Sequence, residues 1–285
     1  MRALLGIYRE PEYSPGQHTS NDAIILQLVA RALERAGAGV ELAVLPAARS
    51  RWRDTALVFS MCQGPAALAE LSQWAEAGAR IVNDPRASRR TYRDQLCPLL
   101  GMDGVPFPAS MFVPTGRPLD RSATSHLFRS GPAWAKRADV HATCADDVIR
   151  VDGWEAADAT LERFHRRGLA DIVLQEHCPG DEIKFYGVAD AEFFWYFYPS
   201  AFVGYPFDAL ALRRLAEQAA SLAGVGIFGG DAIVAPDGGL TIIDLNDWPS
   251  FAPCRGAAAV AIARHILREA RHAGIALPYA ALLPS

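Results

Sequence analysis

Residues 226–251, GIFGGDAIVAPDGGLTIIDLNDWPSF, decide the fold. Two apolar runs flank Asp237-Gly238-Gly239, so the segment reads as a hairpin of two strands, 226–235 and 240–247. An Asp-Gly pair supplies the positive φ that a two-residue type I′ turn needs at both central positions. With Asp237-Gly238 as the turn, Pro236 faces Gly239 and Asp231 faces Asp244. Slipping the turn to Gly238-Gly239 sets Asp231 opposite Asn246 instead. Asp244 and Asn246 are two residues apart and share a face of their strand. Either register therefore gathers Asp231, Asp244 and Asn246 into one patch. Two carboxylates roughly 5 Å apart repel each other in a partly buried site, so one takes up a proton or a cation sits between them. Oxygen-only donors of this kind suit magnesium, or manganese, shared with phosphate oxygens.

Outward from that hairpin the chain alternates strands and helices, which predicts an α/β fold. Strands are expected at 3–8, 40–45, 56–60 and 80–83, with helices at 22–36 and from Pro65 to Gly78. Ser20 or Asn21 is expected to cap the first helix. These elements make an amino-terminal lobe over 1–85. A helix is expected from Ser88 to Cys97, ended or kinked by Pro98, which lacks a backbone donor. Strands at 109–113 and 133–137 and a helix from Trp154 to Arg167 fill a central lobe, 86–170. A carboxy-terminal lobe, 171–285, begins with a strand at 171–177 and a turn at Pro179-Gly180. An aromatic hairpin follows at 183–188 and 193–198, then helices at 208–223 and 256–273 around the carboxylate hairpin.

Composition excludes several classes. Of 285 residues, 51% are hydrophobic and 21% charged, which fits a folded globular chain. The net charge of -4 offers no basic excess for a nucleic-acid backbone. No apolar run approaches the ~20 residues of a membrane span, and the first residues do not read as a signal peptide. A cytoplasmic protein is expected, and a homodimer on base rates. The five cysteines are scattered and form no CxxC pair, which argues against a zinc site or a disulfide framework.

The hairpin, with Asp231, Asp244-Leu245-Asn246 and Pro249, resembles the metal-binding end of the ATP-grasp superfamily. Residues 172–188, IVLQEHCPGDEIKFYGV, resemble that superfamily's hinge strand, and Lys136, closing AWAK, resembles its nucleotide-contacting lysine. The resemblance implies an ATP-grasp fold with an amino-terminal open α/β lobe. It also implies a set of roles. Asp231, Asp244 and Asn246 would ligate magnesium bridging the ATP phosphates. Backbone around Gln175, Glu176, His177 and Cys178 would hold adenine. Glu182 would hold the ribose, with Asp181 its rival, and Lys136 would meet the ring and α-phosphate. By the same resemblance the activity is an ATP-dependent ligase joining a carboxylate to an amine, or a thiol, through an acyl phosphate. RimK-like and glutathione-synthetase-type enzymes are the branch most alike. The substrates would be small molecules or peptides.

Two departures from the family pattern stand out. The helix before 109 has no lysine, leaving Arg93 or Arg90 to supply its charge, or Gln95 to hold the position. The loop after Lys136, RADVHATCADD, has no glycine, so Arg137 or His141 would have to touch phosphate. Lys184 shares a strand face with Glu182 and Tyr186 and reads as a phosphate contact or a surface lysine. The acceptor is expected between the loops 16–22 and 60–64 and Arg255, because open α/β sheets bind ligands at the carboxyl ends of their strands. Residues 184–187, KFYG, and the Asp-x-Asn also resemble inositol polyphosphate kinases of the same fold. Phosphotransfer is therefore the competing activity, with Arg86, Arg89, Arg90 and Arg93 as its basic cluster. A nucleotide-binding protein without catalysis is the third reading.

Overall fold

A computed structural model describes residues 3–14, 19–102, 104–129, 131–190 and 193–275. Strands β1 (Leu4–Ile7), β2 (Val40–Ala43), β3 (Leu57–Ser60) and β4 (Ile81–Val82) form a parallel sheet in the order β2-β1-β3-β4. Parallel neighbours need crossovers. Helix α1 (Thr19–Arg35), the single turn α2 (Leu45–Ala48) and α3 (Pro65–Glu76) supply them. β1 and β3 are buried throughout, as strands covered on both faces should be. One face packs Leu4 and Phe59 against Ile25, Val29 and Leu33 of α1. The other packs Leu5 and Val58 against Leu71 and the stacked pair Trp52 and Trp74.

Several boundaries differ from those the sequence predicts. α1 starts at Thr19, so Ser20 and Asn21 lie inside it and do not cap it; residues 15–18 of the preceding loop are outside the described residues. β2 stops at Ala43 because Pro46 opens α2. The helix expected from Ser88 to Cys97 is two helices, α4 (Pro85–Arg90) and α5 (Arg93–Met102). Asp84 caps α4 through the Arg86 backbone N–H, and at the break the Thr91 hydroxyl donates to the Ser88 carbonyl. Pro98 sits inside α5 and does not end it. Leu96 and Leu100, fully buried on either side, hold the helix together although the ring deprives it of one hydrogen bond.

The second sheet is antiparallel in the order β5-β8-β6-β7. Its strands are β5 (Ser110–Pro114), β6 (Ala133–Arg137), β7 (Val148–Val151) and β8 (Asp171–Glu176). The short helix α6 (Arg121–Thr124) precedes β6, and α7 (Trp154–Arg166) lays Leu161 and Phe164 on the sheet. β7 had no sequence signal: four residues with one exposed arginine give too little alternation to read. The third sheet contains β9 (Asp181–Val188), β10 (Phe193–Phe197), β11 (Ile227–Val234) and β12 (Leu240–Asp247), antiparallel in the order β10-β9-β11-β12. Helix α8 (Ala209–Ala223), capped by Asp208, packs its alanine-rich face on Phe185, Phe228 and Ile242. The aromatic run of β10 packs against its own sheet, with Trp195 stacked parallel to Tyr186 at 6.4 Å and Phe194 on Phe185. Helix α9 (Arg255–His272) crosses back to α1 and completes the first lobe's core with Ile262 and Ile266.

The carboxylate hairpin reaches the expected pairing by another route. No two-residue turn forms. The Ala235 carbonyl accepts from Gly238 N–H, so Pro236, Asp237 and Gly238 make a three-residue loop with Gly238 at φ 85°. Proline suits the second position of such a type I turn, and glycine suits the left-handed residue after it. That loop alone would misalign the aspartates by one residue. A bulge between Asp231 and Ala232 restores the register, and Asp231 faces Asp244.

β11 also approaches its neighbours closely at Gly230, where a Cβ would collide with the Asp244 carbonyl and the Phe185 ring. Gly230→Ala is therefore expected to cost ~1–3 kcal/mol in urea unfolding. Gly256→Ala, at an open position in α9, is expected to gain up to ~1 kcal/mol.

Candidate functional site

The second and third sheets flank a cleft of about 740 Å³. Asp231, Asp244 and Asn246 all line it, on the same face of the third sheet. Each aspartate has a cation. Lys184, opposite Asp231 in the β9–β11 register, donates its Nζ to Asp231 Oδ1 at 2.6 Å. Arg93, at the start of α5, pairs with Asp244, and both side chains are more than nine-tenths buried. Burial alone would raise the Asp244 carboxyl, but Arg93 and then Lys136 hold it below its ordinary value. Burial pushes the Lys136 ammonium down, opposed by Asp244. For Lys184, Asp231 outweighs burial and the ammonium is raised.

Lys136 is buried on β6 and donates to Gln175 Oε1 at 2.6 Å and to the Ile243 carbonyl at 3.4 Å. Gln175 is in turn fixed by Ser110. One residue past β8, His177 accepts on Nδ1 from the Trp134 indole at 3.1 Å. Cys178 is half-buried and lines the cleft, its thiol pushed up by burial. Of the two candidate ribose carboxylates, Asp181 is committed elsewhere. It accepts the backbone N–H groups of Val203, Gly204 and Tyr205 at 2.7–3.0 Å. Glu182 is exposed at the cleft, 3.8 Å from Lys184.

Other candidates separate from the site. Arg86 pairs with Asp84, Arg89 with Asp94, and Arg90 donates to the Ala223 carbonyl, so Arg93 alone of that arginine cluster lines the cleft. Gln95 is exposed outside it. His141 lines the cleft but is buried, bonded to the Thr91 hydroxyl at 2.9 Å, and driven by burial to a pKa of about 3. It is neutral near pH 7 and offers phosphate no charge. Arg137 is paired with Asp139 at 2.6 Å. The glycine-free loop is pinned by Asp147, which accepts from the Thr143 and Cys144 N–H groups. Arg255 is not among the cleft-lining residues and reaches it through Asn21, whose amide oxygen accepts its guanidinium at 2.6 Å.

Among the described residues no group of three or more His, Cys, Asp or Glu side chains is placed to hold a metal. Asp231, Asp244 and Asn246 supply two carboxylates and an amide oxygen. That donor set fits a magnesium ion only if phosphate and water complete its six positions, which is how magnesium is usually held beside a nucleotide.

Sequence reasoning assigned no anchoring role to the residues that hold β12, although Gln63 lies in the 60–64 loop expected beside the acceptor. Arg9, Gln63 and Asn83 each follow the carboxyl end of a parallel strand, β1, β3 and β4. Gln63 donates to the Asp247 carbonyl at 2.7 Å. Asn83 donates to the Ile227 carbonyl at 2.8 Å and to the Asp247 carboxylate. Arg9 donates to the Trp248 carbonyl at 2.6 Å. The available signal was positional: ligand and interface groups collect at strand carboxyl ends in open α/β sheets. Beyond β12, Trp248 and Phe251 take positive φ, 33° and 48°, which costs bulky residues roughly 1–3 kcal/mol each. Both are fully buried, Trp248 stacked on Phe59 at 6.3 Å.

No family model matches the chain, and no curated protein matches it in sequence. Solved structures do. The chain is similar to the ATP-grasp ligase PsnB with its minimal precursor (17% identity, 94% of this chain and 99% of that one, TM-score 0.65). It is similar to a RimK-domain ATP-grasp protein from Sphaerobacter thermophilus (19%, 93% and 100%, TM-score 0.69). It is also similar to D-alanine–D-alanine ligase from Bacillus anthracis complexed with ATP (11%, 96% and 98%, TM-score 0.72). The fold of this chain is ATP-grasp.

Asp247, buried behind Asn83, titrates at about 6 against an ordinary 3.8, because burial outweighs its hydrogen bonds. The native state then holds the proton through that interval, so this carboxyl's contribution to stability is fully present below pH 3.8 and is lost as pH rises through 6. Asp247→Asn removes this titration. Between pH 3.5 and 6.5 the variant is expected to gain on wild type by up to ~3 kcal/mol, at ~1.4 kcal/mol per pH unit. Parallel urea curves across that range measure it.

Proposed function

We propose that this protein is an ATP- and magnesium-dependent ligase that joins a carboxylate to an amine. The observation that carries the reading is the pairing of Lys184 with Asp231 and of Arg93 with Asp244 in one cleft, which Lys136 also lines. In this reading the backbone at Glu176–Cys178 holds adenine, Glu182 the ribose, and Lys136 the α-phosphate. Asp231, Asp244 and Asn246 hold magnesium, which supplies charge neutralisation at the phosphates.

The substrate carboxylate oxygen attacks the γ-phosphorus and ADP leaves. The amine then attacks the acyl carbon, phosphate leaves, and the amine's proton passes to solvent. Lys184 and Arg93, already in the cleft, offset the charge on the transferred phosphoryl group. Asn21, which lines the cleft and is held by Arg255, orients the acceptor. The solved ligases of the same fold support this reading, and one of them is complexed with a precursor peptide. A kinase of highly phosphorylated substrates is less well supported, because Arg86, Arg89 and Arg90 are engaged away from the cleft.

Thermal unfolding with ATP, ADP and GTP, with and without magnesium, tests the reading. ATP with magnesium at about 100 times its dissociation constant is expected to add ~2.7 kcal/mol. Asp244→Asn is expected to lose the magnesium-dependent part. Wild type unmoved by every nucleotide would sink the proposal. ATP binding with phosphate released only when a carboxylate and an amine are both present separates ligation from phosphotransfer and from binding without turnover.

A further inference from the structure

Arg9 has no part in the chemistry above, yet it is one of the most completely bonded side chains near the cleft. Its side chain is 4% exposed. Nε donates to the Met61 carbonyl at 3.2 Å, Nη2 to the Trp248 carbonyl at 2.6 Å, and Nη1 lies 3.3 Å from Asp22. Asp22 is itself fixed by the Ser14 hydroxyl at 2.7 Å. The guanidinium thus brackets three segments: the carboxyl end of β3, the first turn of α1, and the backbone two residues past Asn246.

We propose that Arg9 is a positioning residue for the metal-holding end of β12. Trp248 takes φ 33°, a conformation its side chain disfavours. Gln63 and Asn83 anchor the strand as far as Asp247, and the Trp248 N–H reaches the Ile227 carbonyl, which leaves the Trp248 carbonyl to be held. Arg9 is the contact that reaches Trp248's carbonyl and keeps the left-handed turn from relaxing to ordinary negative φ. Such a relaxation would pull on the Trp248 N–H bond to the Ile227 carbonyl, 3.1 Å, that closes the β11–β12 ladder, and would shift the Asn246 amide two residues before it. Although Arg9 borders the cleft, each of its nitrogens is directed at protein, so it acts through the backbone. A planar fork of donors suits this place, because the three acceptors meet three separate nitrogens of the guanidinium, a spread that the single nitrogen of an ammonium lacks.

The inference rests on Asp244 and Asn246 holding magnesium, and its test separates the two ideas. Nucleotide binding by the full chain is followed calorimetrically across a magnesium titration. Arg9→Met is expected to raise the magnesium midpoint ~10-fold or more, as loss of a group supporting a metal ligand does. Binding of ADP without metal should stay as in wild type, since the hinge is untouched. Arg9→Lys should fall between the two. Leu71→Ala, in the far core of the first lobe, controls for simple destabilisation and should leave the midpoint in place. An unmoved midpoint in Arg9→Met, or an equal shift in Leu71→Ala, overturns the proposal. If Arg9→Met does not fold, Arg9→Lys decides, and a wild-type midpoint there overturns it. Wild type that binds nucleotide with no dependence on magnesium defeats the metal assignment itself, a result read before any variant is made.

Discussion

Two carboxylates facing one another across β11 and β12, one of them almost fully buried, are the constraint to which the rest of the cleft answers. Buried anions of like sign are unfavourable unless countercharge is near. The chain brings that countercharge from three directions. Lys184 comes from the adjacent strand, Arg93 from the start of α5, and Lys136 from the other sheet. None is close to Asp244 in sequence, so the electrostatics of the site are a product of tertiary structure.

The first lobe takes part in this design although it contributes none of those charges. Arg9, Gln63 and Asn83, from the ends of three parallel strands, hold the backbone around Asp247 and Trp248. Burial of Trp248 and Phe251 offsets the strain of two left-handed residues. The end of the carboxylate strand is thus braced by a lobe more than 150 residues away in sequence.

Much of this was legible in the sequence. Strong apolar runs bounded by glycine, proline and aspartate marked nearly every long element, and the order of Lys136, the hinge and the Asp-x-Asn pointed to the fold. The hairpin shows where local reading stops. Turn chemistry favoured Asp237-Gly238, yet Pro236 drew the loop one residue earlier, and only a bulge that no sequence rule marks restored the pairing of Asp231 with Asp244. Short β7 and the break between α4 and α5 were illegible for a related reason: packing, not propensity, decides them. Likewise, Asp181 and Glu182 are equivalent as letters. They became distinct only when the 203–205 backbone was seen to occupy Asp181.

The return of α9 to the first lobe has a consequence for how the chain is made. Leu4, Ile25 and Val29 share one core with Ile262 and Ile266, so α1 lacks its packing partner until α9 has left the ribosome. During that interval one of its apolar faces is only partly covered, and chains in this condition are prone to aggregate. The contacts that complete it span nearly the whole sequence, the kind of long-range closure that slows folding. Cooperative stability of the first lobe is therefore a property of the finished chain, and a product truncated before Arg255 would lose the lobe at the opposite end of the sequence.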